Sequence, residues 1–276
     1  MTRENEILAP PESFSDRVAI VTGGSSGIGL ATVEELCNGG ARVAFSSYEE
    51  ELGKAVEDRL LHAGHQALFC HGDMSDEQFC RQLVDRTIEK WGDINLLVNN
   101  AFSFIAKGLD ATTEDWERTM RVGPIGYARM AQFATPYLQK RRHSAVVNVS
   151  SVSAFVSQPN RWTYNSAKGA VETLTKCMAL DLAPLGIRVN SVSPGWIWTR
   201  EVAKAAQNDR QRWEPVWGNF HMMRRFGEPV EVARAILFLL SPAASFITAA
   251  DLPVDGGYLG MGSEGLGLST TFVGSQ

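Results

Sequence analysis

Apolar residues in this chain fall in two patterns. Short continuous runs occupy residues 17–22 (RVAIVT), 42–46 (RVAFS), 67–70, 95–98 (NLLV), 145–150 (AVVNVS), 187–192 and 251–254. Between them lie longer stretches at 27–36, 49–62, 76–91, 113–140, 165–183 and 229–240, of helical composition. The first pattern predicts strands buried on both faces and the second predicts helices. Alternation of the two implies a parallel sheet covered on each side. Right-handed crossovers then wind the chain into a single-domain, Rossmann-like α/β fold, a doubly wound parallel sheet of about seven strands. Residues 199–228 break the alternation. They are polar and aromatic, and read as a substrate-loop insertion over one sheet edge, able to close as a lid. Residues 1–13 and 260–276 read as tails. No repeat or linker divides the chain, so 1–276 is expected to be one unit.

Composition removes several classes of function. With 276 residues and 44% hydrophobic content, the chain can bury a core without disulfides or metals. A net charge of -5 gives no general attraction for nucleic acid or anionic lipid. Cys37, Cys70, Cys80 and Cys177 form no C-x-x-C pair and no zinc spacing with histidine, so they read as reduced core thiols, with no metal expected. The first twelve residues lack the basic start and apolar stretch of a signal peptide. The run 235–240 is too short to span a bilayer. The expected address is cytoplasmic, with no membrane partner.

The first strand runs into Thr22-Gly23-Gly24-Ser25-Ser26-Gly27-Ile28-Gly29. Glycines allow a tight turn and close approach of backbone to a ligand. A helix that starts there aims its amides and positive dipole end at the turn, which suits a pyrophosphate. The expected ligand is therefore a dinucleotide. An acid at the end of the second strand would hold the ribose 2′-hydroxyl of NAD. Ser46-Ser47-Tyr48 stands there instead. With no carboxylate to repel a 2′-phosphate and no arginine to attract one, NAD and NADP both stay open, with a slight lean to NADP.

Tyr164 and Lys168 lie four apart and share one helical face. An ammonium beside a phenol favours the phenolate, and a phenol shifted toward neutrality can exchange a proton with an alcohol or ketone. Ser151 ends the fifth strand, where the ligand crevice of a parallel sheet opens. Its hydroxyl can hydrogen-bond a substrate oxygen.

Taken together, these motifs resemble the short-chain dehydrogenase/reductase family over residues 16–258. The carriers are Thr22–Gly29 (TGGSSGIG), Asp73, Asn99-Asn100-Ala101, 148–151 (NVSS), 164–168 (YNSAK), 188–195 (RVNSVSPG), Thr199 and Asp255-Gly256-Gly257. The resemblance implies a catalytic trio of Ser151, Tyr164 and Lys168, with Lys168 also on the nicotinamide ribose. It implies that Gly23, Ser25, Ser26, Gly27, Ile28, Gly29 and Ser47 surround the pyrophosphate and adenosine ribose. Asp73, with Met74 beside it, would meet the adenine. Asn100 and Ala101 would lie by the adenosine ribose, and Pro194, Gly195, Ile197 and Thr199 by the carboxamide. A homotetramer or homodimer built on the helices at 113–140 and 165–183 is implied as well.

Two positions depart from the family pattern. Phe102 follows Asn-Asn-Ala where the family has glycine, and Gly123 stands where it has a catalytic asparagine. Pro124 removes a helix amide and predicts a kink beside Gly123. The family's proton relay runs through a water on the main-chain carbonyl of that asparagine, which a glycine retains.

Phe102, Phe104, Phe155, Trp162, Trp196, Trp198, Trp213, Trp217 and Phe220, with Gln158, Asn160 and His221, are expected around the substrate end. Aromatic walls suit ring-shaped ligands, such as a sugar, cyclitol or carbocyclic or aromatic diol. Arg161 and Arg200 could meet an acidic substrate, with a solvated surface position as the default for each. The expected function is therefore NAD(P)-dependent interconversion of a secondary alcohol and a ketone on a small molecule. The alternative is a dinucleotide-binding sensor or interaction protein with little turnover.

Overall fold

The computed structural model describes residues 14–267. The expected tail 1–13 and most of the second tail lie outside the described residues; within 260–267 the chain makes a short 3-10 turn at Ser263–Leu266.

Seven strands form: β1 (Val18–Val21), β2 (Arg42–Ser47), β3 (Gln66–His71), β4 (Leu96–Asn99), β5 (Ser144–Val149), β6 (Ile187–Pro194) and β7 (Asp251–Val254). They make one sheet in the order β3-β2-β1-β4-β5-β6-β7, every pair parallel. Chain order reverses between β1 and β4. At that switch point the loops leaving the two strands diverge to opposite faces and open a crevice at the strands' carboxyl ends.

The apolar runs explain the layers. Ala19 and Val21 of β1 face a core shared with α1 (Gly27–Asn38), α2 (Glu50–His62) and α9 (Pro229–Leu240). Ile20 faces the opposite core, closed by α3 (Glu77–Trp91), α5 (Gly126–Leu138) and α6 (Trp162–Leu182). Period-two alternation sends neighbours to opposite sides, and both sides are apolar because both are covered.

The predicted helix at 113–140 is two helices. α4 (Thr113–Met120) starts at a Thr112/Asp115 capping box, and α5 follows a π-helical turn at Arg121–Ile125. Gly123 has φ -78° and ψ -112° there. Pro124 lacks an amide and pushes against the preceding turn, so the expected kink is present. α6 begins at Trp162, three residues before the predicted start, which puts Tyr164 and Lys168 inside its first two turns.

Residues 199–228 fold into α7 (Arg200–Ala205), α8 (Arg210–Trp217) and a 3-10 turn at Gly218–Phe220. A parallel bridge between Ile197 and Gly227 closes the base of this excursion. Gly227 N–H donates to Trp196 O (3.0 Å) and Trp198 N–H to Gly227 O (2.8 Å).

Candidate active site

A crevice of about 670 Å³ opens at the switch point. The β1–α1 turn forms its floor. Gly23 and Gly27 have φ of +68° and +55°, left-handed values that a side chain would strain. A Cβ on Gly29 would lie 2.1 Å from Gly23 O, so the turn closes only over glycine. Gly27 and Gly29 shape the turn without lining the crevice, whereas Gly23, Ser25, Ser26 and Ile28 line it. Ser26 is the N-cap of α1, makes no side-chain capping bond, and no acid stands in the first turn. The positive end of α1 is thus uncompensated by the chain, as an anion site requires. The residues present fit a dinucleotide pyrophosphate.

Some predicted cofactor residues are engaged differently from the expectation. The Asn100 side chain donates to Thr22 O (2.9 Å) and Gly23 O (3.1 Å), and its amide donates to Thr22 Oγ1 (2.9 Å). It pins the glycine turn to β4, and both Asn100 and Ala101 line the crevice. Ala101 N–H donates to the same Thr22 hydroxyl. Asp73 Oδ2 pairs with Arg118 at 2.5 Å, and Oδ1 accepts from Ser75 N–H at 2.8 Å. Burial raises the Asp73 carboxyl, but the Arg118 and Ser75 hydrogen bonds outweigh it and hold the group below its ordinary value. Ser47 Oγ accepts from Ser25 Oγ (2.7 Å) and from Glu49 N–H (3.0 Å). Ser47, Met74, Pro194, Gly195, Ile197 and Thr199 all line the crevice.

The sequence reading missed Arg118. It reaches from α4 to Asp73 and lies 5.9 Å from the Tyr48 ring centroid. It sits one turn before the kink, and only the fold brings it to the end of β2. Arg200 was expected on the surface. It makes a two-pronged ion pair with Glu49 (2.8 and 3.0 Å), which joins α7 to the start of α2 across the adenosine end of the crevice.

The trio meets at the other end. A chain of buried amides aligns α6 on the sheet: Asn99 Nδ2 donates to Asn148 Oδ1 (2.9 Å), and Asn148 Nδ2 donates to Thr175 Oγ1 (2.9 Å). Ser151, Tyr164 and Lys168 all line the crevice. Lys168 is buried. Its Nζ donates to Val149 O (2.8 Å) and lies 3.7 Å from the Phe102 ring centroid. Burial pulls Lys168 down to about 7, while Glu172, one turn onward, opposes the change. Burial pushes the Tyr164 phenol up from its ordinary value, and the Ser151 hydrogen bond and the charge of Arg161 pull it partway back. Desolvation penalises both charged forms, and it acts most fully on Lys168, which is buried where Tyr164 is partly exposed.

Phe102 and Gly123 are sterically linked. A Cβ on Gly123 would lie 2.5 Å from Phe102 Cε2. The Phe102 ring fills the space beside the kink, edge-on to Tyr164 with centroids 5.3 Å apart. Phe104 packs on Tyr164 at 4.8 Å. Its loop is tied to α6 where Thr163 Oγ1 donates to Ile105 O (2.5 Å) and accepts from Lys107 N–H (3.1 Å).

Of the expected aromatic wall, Phe102, Phe104, Trp196 and Trp217, with Gln158, line the crevice. Phe155 and Trp162 are exposed and do not. Trp213 stacks on Trp217 (4.5 Å), which stacks on Trp196 (5.0 Å), so α8 is held to the crevice rim. Trp198 packs on Phe226, and Phe220 lies behind Trp196. His221 is buried, and its Nε2 accepts from Trp196 N–H (3.0 Å). It is a brace, not a crevice group. Asn160, with φ +55°, lies against Gly108 in a turn.

Among the described residues, no helix is long and apolar enough to cross a membrane, and no group of three or more His, Cys, Asp or Glu is placed to hold a metal. Cys37, Cys70 and Cys80 are buried as expected, whereas Cys177 is exposed on α6 and is not a core thiol. Burial pushes Cys37 up to about 12 and Cys70 and Cys80 up to about 11, which makes them poor nucleophiles.

Comparison with known proteins agrees with this geometry. Residues 23–259 match a family model described as enoyl-(acyl carrier protein) reductase. The chain is 36% identical to a cyclopentanol dehydrogenase of a Comamonas species, over 88% of this chain and 97% of that one. It is 37% identical to a cis-4-hydroxycyclohexanecarboxylate dehydrogenase of Sinomonas cyclohexanicum, over 90% and 98%. Among solved structures, an NADPH-bound short-chain oxidoreductase of Pseudomonas aeruginosa, described as containing an atypical catalytic center, superposes with a TM-score of 0.85 at 31% identity, covering 95% of this chain and all of that one. The glycine turn, the doubly wound sheet and the Ser151–Tyr164–Lys168 cluster at its switch point thus belong to a member of the short-chain dehydrogenase/reductase family, an NAD(P)-dependent dehydrogenase.

Proposed function

We propose that the chain interconverts a ring-borne secondary alcohol and its ketone, with Tyr164 as the acid/base, Ser151 holding the substrate oxygen and Lys168 supporting the phenol. The observation that carries this is that Ser151, Tyr164 and Lys168 all line one crevice that also takes in the uncompensated N-terminus of α1. The nicotinamide supplies or accepts the hydride when bound, and the protein supplies orientation. Ser151 aligns the substrate oxygen toward the Tyr164 hydroxyl. In the reducing direction the phenol gives its proton to that oxygen, and a phenol whose burial favours the protonated form is suited to this. In the oxidising direction the Tyr164 oxygen, as phenolate, takes the carbinol proton and becomes the phenol again. Lys168, close to neutrality, can then change charge with little cost. Phe102, Phe104, Trp196 and Trp217 exclude water and offer flat faces to a ring. The cyclopentanol and hydroxycyclohexanecarboxylate dehydrogenases among its relatives support a cyclic substrate.

The cofactor reading favours NADP. Ser47 brings no carboxylate to the adenosine ribose, and Arg118 and Arg200 both line that end of the crevice. The NADPH bound by the similar Pseudomonas protein supports the same lean. One domain carries both ends of the site, with 199–228 as its substrate loop. A cytoplasmic homotetramer or homodimer fits the family and the unpaired cysteines.

The test is steady-state turnover of cyclopentanol and cyclohexanol with NAD+ and NADP+. Tyr164→Phe should lower kcat by about 10²–10⁴-fold, the usual weight of a general acid/base, while nucleotide binding by fluorescence persists. Nucleotide binding with no turnover across a panel of ring alcohols would favour the sensor reading instead.

A further inference from the structure

Four cationic side chains line the crevice: Arg118, Arg161, Lys168 and Arg200. Three have oxygen partners. Arg118 is paired with Asp73, Arg200 with Glu49, and Lys168 donates to Val149 O. Arg161 differs. Among the described residues its guanidinium has no ion pair and no side-chain hydrogen bond; its contacts are rings. It lies 5.6 Å from the Phe104 centroid and 5.4 Å from the Trp196 centroid.

Those contacts fix where the charge sits. Phe104 packs on Tyr164, and Trp196 is the rim of the aromatic stack. Arg161 immediately precedes α6, one turn before Tyr164, with a non-helical backbone of φ -132° and ψ 30°. The crevice carboxylates do not compete for it. Glu49, Asp73 and Glu201 lie toward the adenosine end or on α7, and each faces Arg118 or Arg200. A guanidinium carries five donors in a planar fork. Flanked by ring faces that satisfy its charge but not its N–H groups, it is matched to a planar anion arriving from the crevice. Arginine and a carboxylate pair through two parallel hydrogen bonds, stronger than neutral ones.

We infer that Arg161 is a substrate-anchoring residue, and that the preferred substrates are cyclic hydroxy acids or keto acids whose carboxylate docks on the open edge of Arg161 while the ring extends into the crevice toward Tyr164. This rests on the proposed ring-alcohol chemistry and narrows its substrate class. The anchor fixes which ring carbon faces Tyr164, so it sets regiochemistry as well as affinity.

The experiment compares 3- and 4-hydroxycyclohexanecarboxylate with the matching hydroxycyclohexanecarboxamides, in the full-length protein with saturating dinucleotide. The readout is the ratio of kcat/KM for acid over amide. The wild type should favour at least one acid by tenfold or more, about 1.4 kcal/mol. Arg161→Gln should collapse that ratio toward one, mainly through KM, and Arg161→Lys should restore part of it. A wild-type ratio near one, or a ratio that falls in Arg200→Gln and not in Arg161→Gln, overturns the assignment. A second measurement needs no turnover: cyclohexanecarboxylate should raise the melting temperature of the wild type more than cyclohexanecarboxamide does. Arg161→Gln should abolish the difference, and an equal shift in both proteins overturns the anchor. Absence of turnover on every ring alcohol, with an Arg161-dependent thermal shift intact, would fault the oxidoreductase reading and leave the anion site standing.

Discussion

At the scale of single residues, Gly123 and Phe102 are sterically linked. Gly123 can have no side chain because Phe102 occupies the space, with 2.5 Å between a Cβ there and the ring. Gly123→Ala should therefore destabilise the protein by about 1–3 kcal/mol, as overpacking does. In Phe102→Leu the same change should cost less. Urea unfolding of both single variants and the double closes this cycle, and additive losses would show the positions to be independent. Lys168 offers a second residue-scale measurement. Its ordinary value is 10.5 and burial lowers it to about 7. Between these values the unfolded chain holds a proton that the folded chain has released, so this group makes stability rise with pH across that window. Melting temperatures without added dinucleotide, from pH 7 to 10, should climb more steeply for wild type than for Lys168→Met. Parallel curves would mean the lysine is solvated.

At the scale of elements, placement of the site depends on how segments are fastened. α6 is aligned by the Asn99–Asn148–Thr175 chain, and the loop carrying Phe104 is fastened to it through Thr163. The excursion at 199–228 is closed at its base by Ile197 and Gly227 and held at its rim by the tryptophan stack. The rim contacts attach α8 to the crevice wall, so any lid motion would be concentrated in α7. Arg200 of α7 meets Glu49 over the adenosine end, with both side chains about half exposed. Exposed pairs add little stability, about 0–1 kcal/mol, so either partner can be replaced with little cost to folding. A 2′-phosphate near Ser47 would compete with Glu49 for the guanidinium. Glu49→Gln should raise NADP+ affinity relative to NAD+, and Arg200→Gln should lower it, with little change in melting temperature. Equal effects on the two dinucleotides would remove Arg200 from cofactor choice.

At the scale of the whole molecule, a doubly covered sheet leaves helix faces outside. Leu180 on α6 is 76% exposed, and Ile125 beside α5 is partly so. These lie on or beside the helices on which assembly is expected from the sequence. Light scattering of the purified protein should give a mass two or four times that of the chain, and Leu180→Glu should reduce it. A monomer at micromolar concentration would count against the assembly.

Much of this was legible from the chain alone. Continuous apolar runs and their helical spacers set the layers, because a strand covered on both faces is mostly apolar and admits a polar residue such as Asn99 or Asn148 only where it is hydrogen-bonded. The glycine turn was legible because left-handed torsions and close approach exclude side chains at Gly23, Gly27 and Gly29. Tyr164 and Lys168 were legible because helical periodicity places residues four apart on one face. Other features depended on groups distant in sequence. Arg118 reaches Asp73 across 45 positions, Arg200 reaches Glu49 across 151, and Asn100 is drawn onto the glycine turn. The balance between Tyr164 and Lys168 depends on the same kind of distant packing. Spacing reports the neighbour's charge, whereas burial, which only the packed fold sets, determines which protonation state each group favours.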